Sequence, residues 1–313
     1  MIEMSIALAA AELPTTTMPF LVANGKTLST MPNRLGWLTP TAGDTPVKKV
    51  KELYAEHGYV WLKRFLDPTD VLAFRGYVFR HLAGTGLIAP DADPRLGISG
   101  TGPVRKDLAD RRLMALVRST TYEGFCVQPR LSRFMDEFLE GLSYLHKRKI
   151  MRYTQPHTPT VTPAHYDLIY LRGGTTRVVT SWIPIGDVPA AMGGLVYLEG
   201  SHAIGVEMER EFSRHAANLT PEEKINAYNK NMTEGGWVSK DLPDMADRFN
   251  ARWLGADYEA GDVMLHSPYM IHASTTNEDA ENRVRLSTDI RFQNVDDEID
   301  ARWSNHWSLD DML

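Results

Sequence analysis

His165 and Asp167 stand two positions apart in the stretch "TPAHYDLIYLRGG", residues 162–174. On a β-strand, residues i and i+2 project from the same face, so the ring and the carboxylate would reach for one point. On a helix the same spacing aims them apart. A His-x-Asp pair on a strand therefore offers two ligands of one metal ion and lacks a third. Ten histidines are available. His57, His81 and His146 lie in a half of the chain with helical patterning, His306 in the tail, and His202 in a Gly-Ser-His turn. His266 and His272 both lie in "AGDVMLHSPYMIHASTTN", where a Gly-Asp turn launches an apolar strand. His272 is the preferred third ligand and His266 the alternative. Eleven residues after His272 comes Arg283, opening "RVRLSTDIRF", in which Arg283, Arg285 and Ser287 share one strand face.

An arginine buried beside a metal needs an anionic partner, because an unpaired interior charge is costly. The natural partner is a carboxylate on a small molecule that itself binds the metal, gripped by the guanidinium fork.

The elements that must position these groups follow from patterning. Residues 1–45 carry Pro and Thr and read as a loosely ordered arm, either a contact in a homodimer or a segment without a fixed partner. Then come a helix broken at Gly58, a strand "YVWLKRF", and a helix from Pro68 to about Leu82 with Asp67 as its N-cap. "GPVRKDLADRRLMALVRS" and "QPRLSRFMDEFLEGLSYLHKR" are helical in pattern. From Ile150 onward short strands alternate with turns: "KIMRYTQ", "HYDLIYL", "TRVVTSWIPIG", "GGLVYLEGSH", "GDVMLHS" and "RVRLSTDIRFQ". That pattern predicts a barrel or sandwich. Residues 206–255 interrupt it as a charged, helical insertion, so residues 46–313 read as one domain carrying a helical excursion.

The bounds narrow the function. A chain of 313 residues with 43% apolar content can bury a sizeable core. A net charge of −6 argues against nucleic acid, which needs a basic face. One cysteine, Cys126, excludes an internal disulfide and fits a reducing, cytoplasmic setting. No apolar run is long enough to span a membrane.

His-x-Asp, a distant His, and an Arg about ten residues later form the layout of an iron(II)/2-oxoglutarate site. Taken in order, "EHGYVWLKRFLDPTDV", "HYD", "TSWIPIGD", "MGGLVYLEGSHAIG" and "AGDVMLHSPYMIHASTTNEDAENRVRLSTDIRF" resemble the phytanoyl-CoA dioxygenase family of iron(II)/2-oxoglutarate oxygenases, over residues 50–295. The resemblance implies a mainly β fold with flanking helices, a double-stranded β-helix (jelly roll, cupin-like). It implies His165, Asp167 and His272 as iron ligands and Ser274 as a contact of 2-oxoglutarate. Arg283 matches the arginine that pairs with the far carboxylate, with Arg285 as the alternative, and Trp182 and Met151 match positions lining that pocket. O2 is the second co-substrate, and hydroxylation of a small organic molecule, with release of succinate and CO2, is the default outcome. The presence of Asp167 speaks against radical halogenation, in which the halide takes the carboxylate's place. Arg152, Tyr153, Arg177 and Arg118 are candidates for recognising the substrate. Two alternatives stand beside this reading: a cupin-type metalloenzyme that does not use 2-oxoglutarate, and a non-catalytic binding module.

Overall fold

The computed structural model describes residues 17–220, 222–224, 226–227 and 237–309. Its strands are β1 (Val22–Ala23), β2 (Lys26–Thr27), β3 (Leu35–Trp37), β4 (Pro40–Ala42), β5 (Tyr59–Lys63), β6 (Ser143–Leu145), β7 (Ile150–Thr154), β8 (Val179–Pro184), β9 (Leu195–Leu198), β10 (Trp253–Gly255), β11 (Val263–His266), β12 (His272–Ser274) and β13 (Arg285–Asn294). A large sheet runs in the order β4-β5-β11-β8-β13, with β6 and β7 sharing the far edge of β13. A smaller sheet runs β12-β9-β10-β3. The arrangement is a double-stranded β-helix with helices packed on its outside.

Alternation along each strand builds three cores. Val60, Val263, Ile183 and Ile290 point outward from the large sheet. They meet helices Val47–His57, Pro68–His81, Lys106–Leu116, Thr120–Cys126 and Pro129–Phe138 through residues such as Val50, Phe74, Leu113, Phe125 and Phe134. The opposite face sends Tyr59, Trp61, Met264 and Trp182 inward against Tyr197 and Leu254 of the smaller sheet. A third cluster covers the outside of the smaller sheet with Met18, Leu21, Leu28 and Met245. Local signals hold where they are strong: Asp67 accepts the Thr69 amide at 2.7 Å with Pro68 beginning the helix, and Gly58 ends the preceding helix at φ 77°.

Four expectations need correction. Residues 17–45 are not a loose arm: β3 pairs in parallel with β10 and β4 with β5, and Leu35 and Leu38 are buried. The Pro and Thr residues there sit at the edges of very short strands; residues 1–16 lie outside the described residues. The stretch at 206–255 is not wholly an excursion. Its first helix begins at Ser201, a second spans Leu242–Arg248, and residues 253–255 are a strand of the smaller sheet; residues 221, 225 and 228–236 lie outside the described residues. The helix Pro129–Phe138 stops before the positive-φ Glu140, and Ser143–Leu145 is strand instead. "HYDLIYL" is not a strand: only Ala164 and His165 bridge to neighbours, and Leu168–Leu171 is one helical turn whose Leu168, Ile169 and Leu171 are all buried. A short apolar run of that length has no period long enough to separate strand from helix.

β13 inverts the usual pattern. Arg285, Ser287, Asp289, Arg291 and Gln293 share the inward face, while Leu286, Ile290 and Phe292 face the helices. At its far end Gln293 accepts the Nε2–H of His146 at 2.8 Å, and the other ring nitrogen of His146 is buried without a partner. Burial, with the nearby Arg291 charge, pushes the His146 pKa down to about 4. The unfolded chain takes up this proton near pH 6.5 and the folded chain does not, so stability is lost as pH falls from 6.5 towards 4. His146→Gln is expected to remove about 3 kcal/mol of that loss. Denaturant melts of both proteins across this window should show a shallower slope for the variant; equal slopes would refute the assignment.

Candidate metal centre

His165 and His272 face each other across an antiparallel bridge. Each backbone N–H donates to the other's carbonyl, at 3.0 and 2.9 Å, and the ring centroids lie 4.4 Å apart. Their Nδ1 atoms lie 2.9 Å from the carbonyls of Pro163 and Met270, each two residues earlier. A carbonyl only accepts, so Nδ1 carries the proton in both rings and each Nε2 turns a free lone pair inward. Burial lowers both pKa values, that of His272 well below the usual range with the facing His165 adding to it. Both rings are therefore neutral, the state a metal requires.

Asp167 reaches the same point from the first turn of Leu168–Leu171, so backbone bending brings it there where strand alternation was expected to. Its Oδ1 lies 3.8 Å from Nε2 of His165 and 3.9 Å from Nε2 of His272. The ligand atoms of all three residues lie within 4.8 Å of one another, and all three are buried. One rung of the large sheet surrounds the carboxylate. His266, Thr180 and Arg291 are in register on β11, β8 and β13, so all three project to the same face. Arg291 donates to Oδ1 at 3.0 Å, the Thr180 hydroxyl donates to Oδ2, and Nε2 of His266 lies 3.4 Å from Oδ2. Burial alone would raise the Asp167 pKa, but Arg291 and the neighbouring imidazoles outweigh it and hold the group well below the usual carboxylate range. Asp167 is an anion at any working pH. His266 is thus beside the centre rather than in it: its Nδ1 lies 3.0 Å from the Tyr197 hydroxyl.

The two arginines part company. Arg283, the first choice from spacing, precedes β13, and its guanidinium is taken up by Asp279, with Nε at 3.0 Å and a terminal nitrogen at 2.7 Å, and by Glu281. The turn at 277–283 is longer than the count of eleven assumed, so the strand begins two residues later. Arg285 takes the inward position. It is buried, donates to the Gly193 carbonyl and to Thr154 Oγ1 at 2.9 Å, and leaves Nε without a partner. No carboxylate among the described residues pairs with it. Burial and the charge of Arg152 lower its pKa to about 10, so it stays cationic at neutral pH. Gly193 can offer that carbonyl because it has φ 78°, and a Cβ there would meet the Thr275 oxygen at 2.2 Å.

Arg285 lines a cavity of about 340 Å³ together with Ser274, Thr162, Thr154 and Arg152. Ser274 shares the inward face of β12 with His272, and its hydroxyl accepts the Thr162 amide at 3.0 Å. The cavity therefore runs from Arg285 to Ser274, on the strand that also carries His272, and the three ligand residues are not on its wall. Tyr153 also borders it. Met151 borders it too, but it sits opposite Thr288 on the outward face and packs into the helix-covered core. Trp182 faces inward opposite Asp289, its ring 4.8 Å from Tyr258, in the core between the sheets and not on the cavity wall. Arg177 is an exposed partner of Asp297, and Arg118 is bound to the Met114 carbonyl; neither lines the cavity.

Residues 54–284 match the family model described as phytanoyl-CoA dioxygenase (PhyH). The chain belongs to this family. With its His-Asp-His group it is a non-haem iron(II)/2-oxoglutarate oxygenase. Curated relatives include the 1-deoxypentalenic acid 11-beta-hydroxylases of Streptomyces arenae and Streptomyces exfoliatus. Each is 24% identical, over 263 and 267 residues, with 82% of this chain and 83% of the relative covered. Among solved structures, the epimerase SnoN in complex with Fe3+, alpha ketoglutarate and nogalamycin RO matches with a TM-score of 0.52 and 16% identity, covering 81% of this chain and 85% of that one. The carbocyclase SnoK from nogalamycin biosynthesis matches with a TM-score of 0.52 and 18% identity, covering 83% and 88%. These likenesses establish the shared fold. No helix among the described residues is long and apolar enough to cross a membrane.

Proposed function

We propose that this oxygenase hydroxylates a small organic molecule of specialised metabolism in the cytoplasm, with His165, Asp167 and His272 holding iron(II) and Arg285 holding the far carboxylate of 2-oxoglutarate. The observation that carries this reading is Arg285, a buried cation whose protein partners are both neutral and whose Nε is unsatisfied. A dicarboxylate supplies the missing anion. A cupin-type enzyme without 2-oxoglutarate would have no use for it.

When bound, iron and 2-oxoglutarate couple loss of CO2 and formation of succinate to oxidation of a substrate C–H bond. The chain's own residues prepare that step. The Pro163 and Met270 carbonyls hold the two imidazoles in one tautomer, the sheet rung fixes Asp167, and Ser274, bonded to Thr162, lines the cavity with Arg285 from the strand that carries His272. Strands carry His272 and Arg285, and the backbone bridge to His272 ties His165 to them, which limits their wander.

Arg152 lines the same cavity, and Asp289 holds its Nε at 2.9 Å. Its two terminal nitrogens remain for an acidic group on the substrate, in keeping with the curated relatives' action on an acid. Incubation with iron(II), O2, 2-oxoglutarate and a panel of small organic acids of specialised metabolism is expected to yield succinate in step with one hydroxylated product. Oxidised product without succinate would overturn the reading in favour of a cupin-type reaction.

A further inference from the structure

We propose that Thr180 and His266 are positioning residues that hold Asp167 to a single coordinating oxygen and so keep one site on the metal open for O2. The proposal rests on reading His165, Asp167 and His272 as the metal centre. The two oxygens of Asp167 have different surroundings. Oδ1 is the one nearest both histidine Nε2 atoms, at 3.8 and 3.9 Å. Oδ2 is turned away, towards the Thr180 hydroxyl and Nε2 of His266.

His266 is fully buried, and its Nε2 stands 3.4 Å from Oδ2 without a formed hydrogen bond to any described residue. A carboxylate oxygen only accepts, so the ring proton belongs on Nε2, facing Oδ2, and Nδ1 then accepts from the Tyr197 hydroxyl 3.0 Å away. The His266 ring also packs against that of His272, centroids 4.4 Å apart, but Thr180 and His266 both address the far oxygen of Asp167. What they engage is the lone pairs through which Oδ2 would otherwise reach the metal.

The consequence follows from counting positions. Iron(II) of this type takes six ligand atoms. Two imidazoles and one carboxylate oxygen leave three positions, two for the keto-acid end of 2-oxoglutarate and one for O2. A carboxylate that swings to bind through both oxygens leaves two, and 2-oxoglutarate fills them. Second-sphere hydrogen bonds of this kind orient ligands in metal sites generally. Here they would decide the number of free positions as well. Arg291, on Oδ1, limits the rotation of the carboxylate from the other side.

The test separates this role from a merely structural one. Under anaerobic conditions, iron(II) and 2-oxoglutarate binding are titrated calorimetrically, and nitric oxide, a stand-in for O2, is titrated by the electron paramagnetic resonance of its iron adduct. Thr180→Val is expected to bind iron and 2-oxoglutarate within about threefold of wild type and to bind nitric oxide at least tenfold more weakly. Thr180→Ser should restore it, and His266→Leu should show the same split from an independent strand. Loss of iron, 2-oxoglutarate and nitric oxide binding together in both variants would make the role structural and overturn the proposal, as would unchanged nitric oxide affinity. A wild type that binds no iron would overturn the oxygenase reading itself, whereas a wild type that binds all three beside a matching Thr180→Val overturns the cradle alone.

Discussion

Replacing Arg285 with Gln is expected to weaken 2-oxoglutarate binding roughly 100- to 1,000-fold, the equivalent of about 3–4 kcal/mol, because it removes one partner of a desolvated charge pair. Arg283→Gln is expected to change it less than about threefold, since the Arg283 charge is already paired with Asp279 and Glu281. Calorimetric titration of 2-oxoglutarate into the iron-loaded variants distinguishes them. The contrast is informative because the two residues are two positions apart and alternation alone would let either serve. What separates them is where β13 begins. A large loss at Arg283 with none at Arg285 would mean that the turn at 277–283 rearranges on binding and that the inward position of Arg285 is structural.

His272→Ala is expected to lower iron affinity by more than about 100-fold and to reduce succinate formation to background. It removes a coordinating atom rather than a group that orients one, and orienting groups cost at most about 10- to 100-fold, in metal affinity or in activity. Neighbouring histidines do not replace it, because His266 already lies between Tyr197 and Asp167. His202→Ala is the control: its ring lies against Gly58, with burial lowering its pKa, and it is not one of the three grouped residues. Metal titration of the two variants should differ by the full effect. Equal affinities would remove His272 from the centre.

The residues proposed to hold the metal are the easiest to see in the sequence. His165, Asp167 and His272 are recognisable because few other reasons place a His-x-Asp pair and a later His among short apolar strands. The mechanism of their convergence was less legible: Asp167 arrives from a helical turn, and nothing in "DLIYL" distinguishes a turn of helix from a buried strand. Alternation does not separate Arg285 from Arg283, which share one parity, but it does mark the face they lie on. In "RLSTDIRFQN" every second residue is polar although the strand is buried throughout, and a strand with one polar face inside a closed sheet marks an interior built for ligands. His266, Thr180 and Arg291 were invisible as a group, because they lie on three strands and only the pairing register unites them. The ordered segment at 17–45 was missed because two- and three-residue strands carry no periodicity of their own and depend on partners more than 200 residues away or across a helix.

The central claim is that the centre and the clamp act together, so that metal and 2-oxoglutarate bind as one system. Titrating 2-oxoglutarate calorimetrically into anaerobic wild-type protein, with and without iron(II), tests this most directly. Binding that requires the metal is the predicted result. Binding that is absent in both titrations, or the same in both, would contradict it.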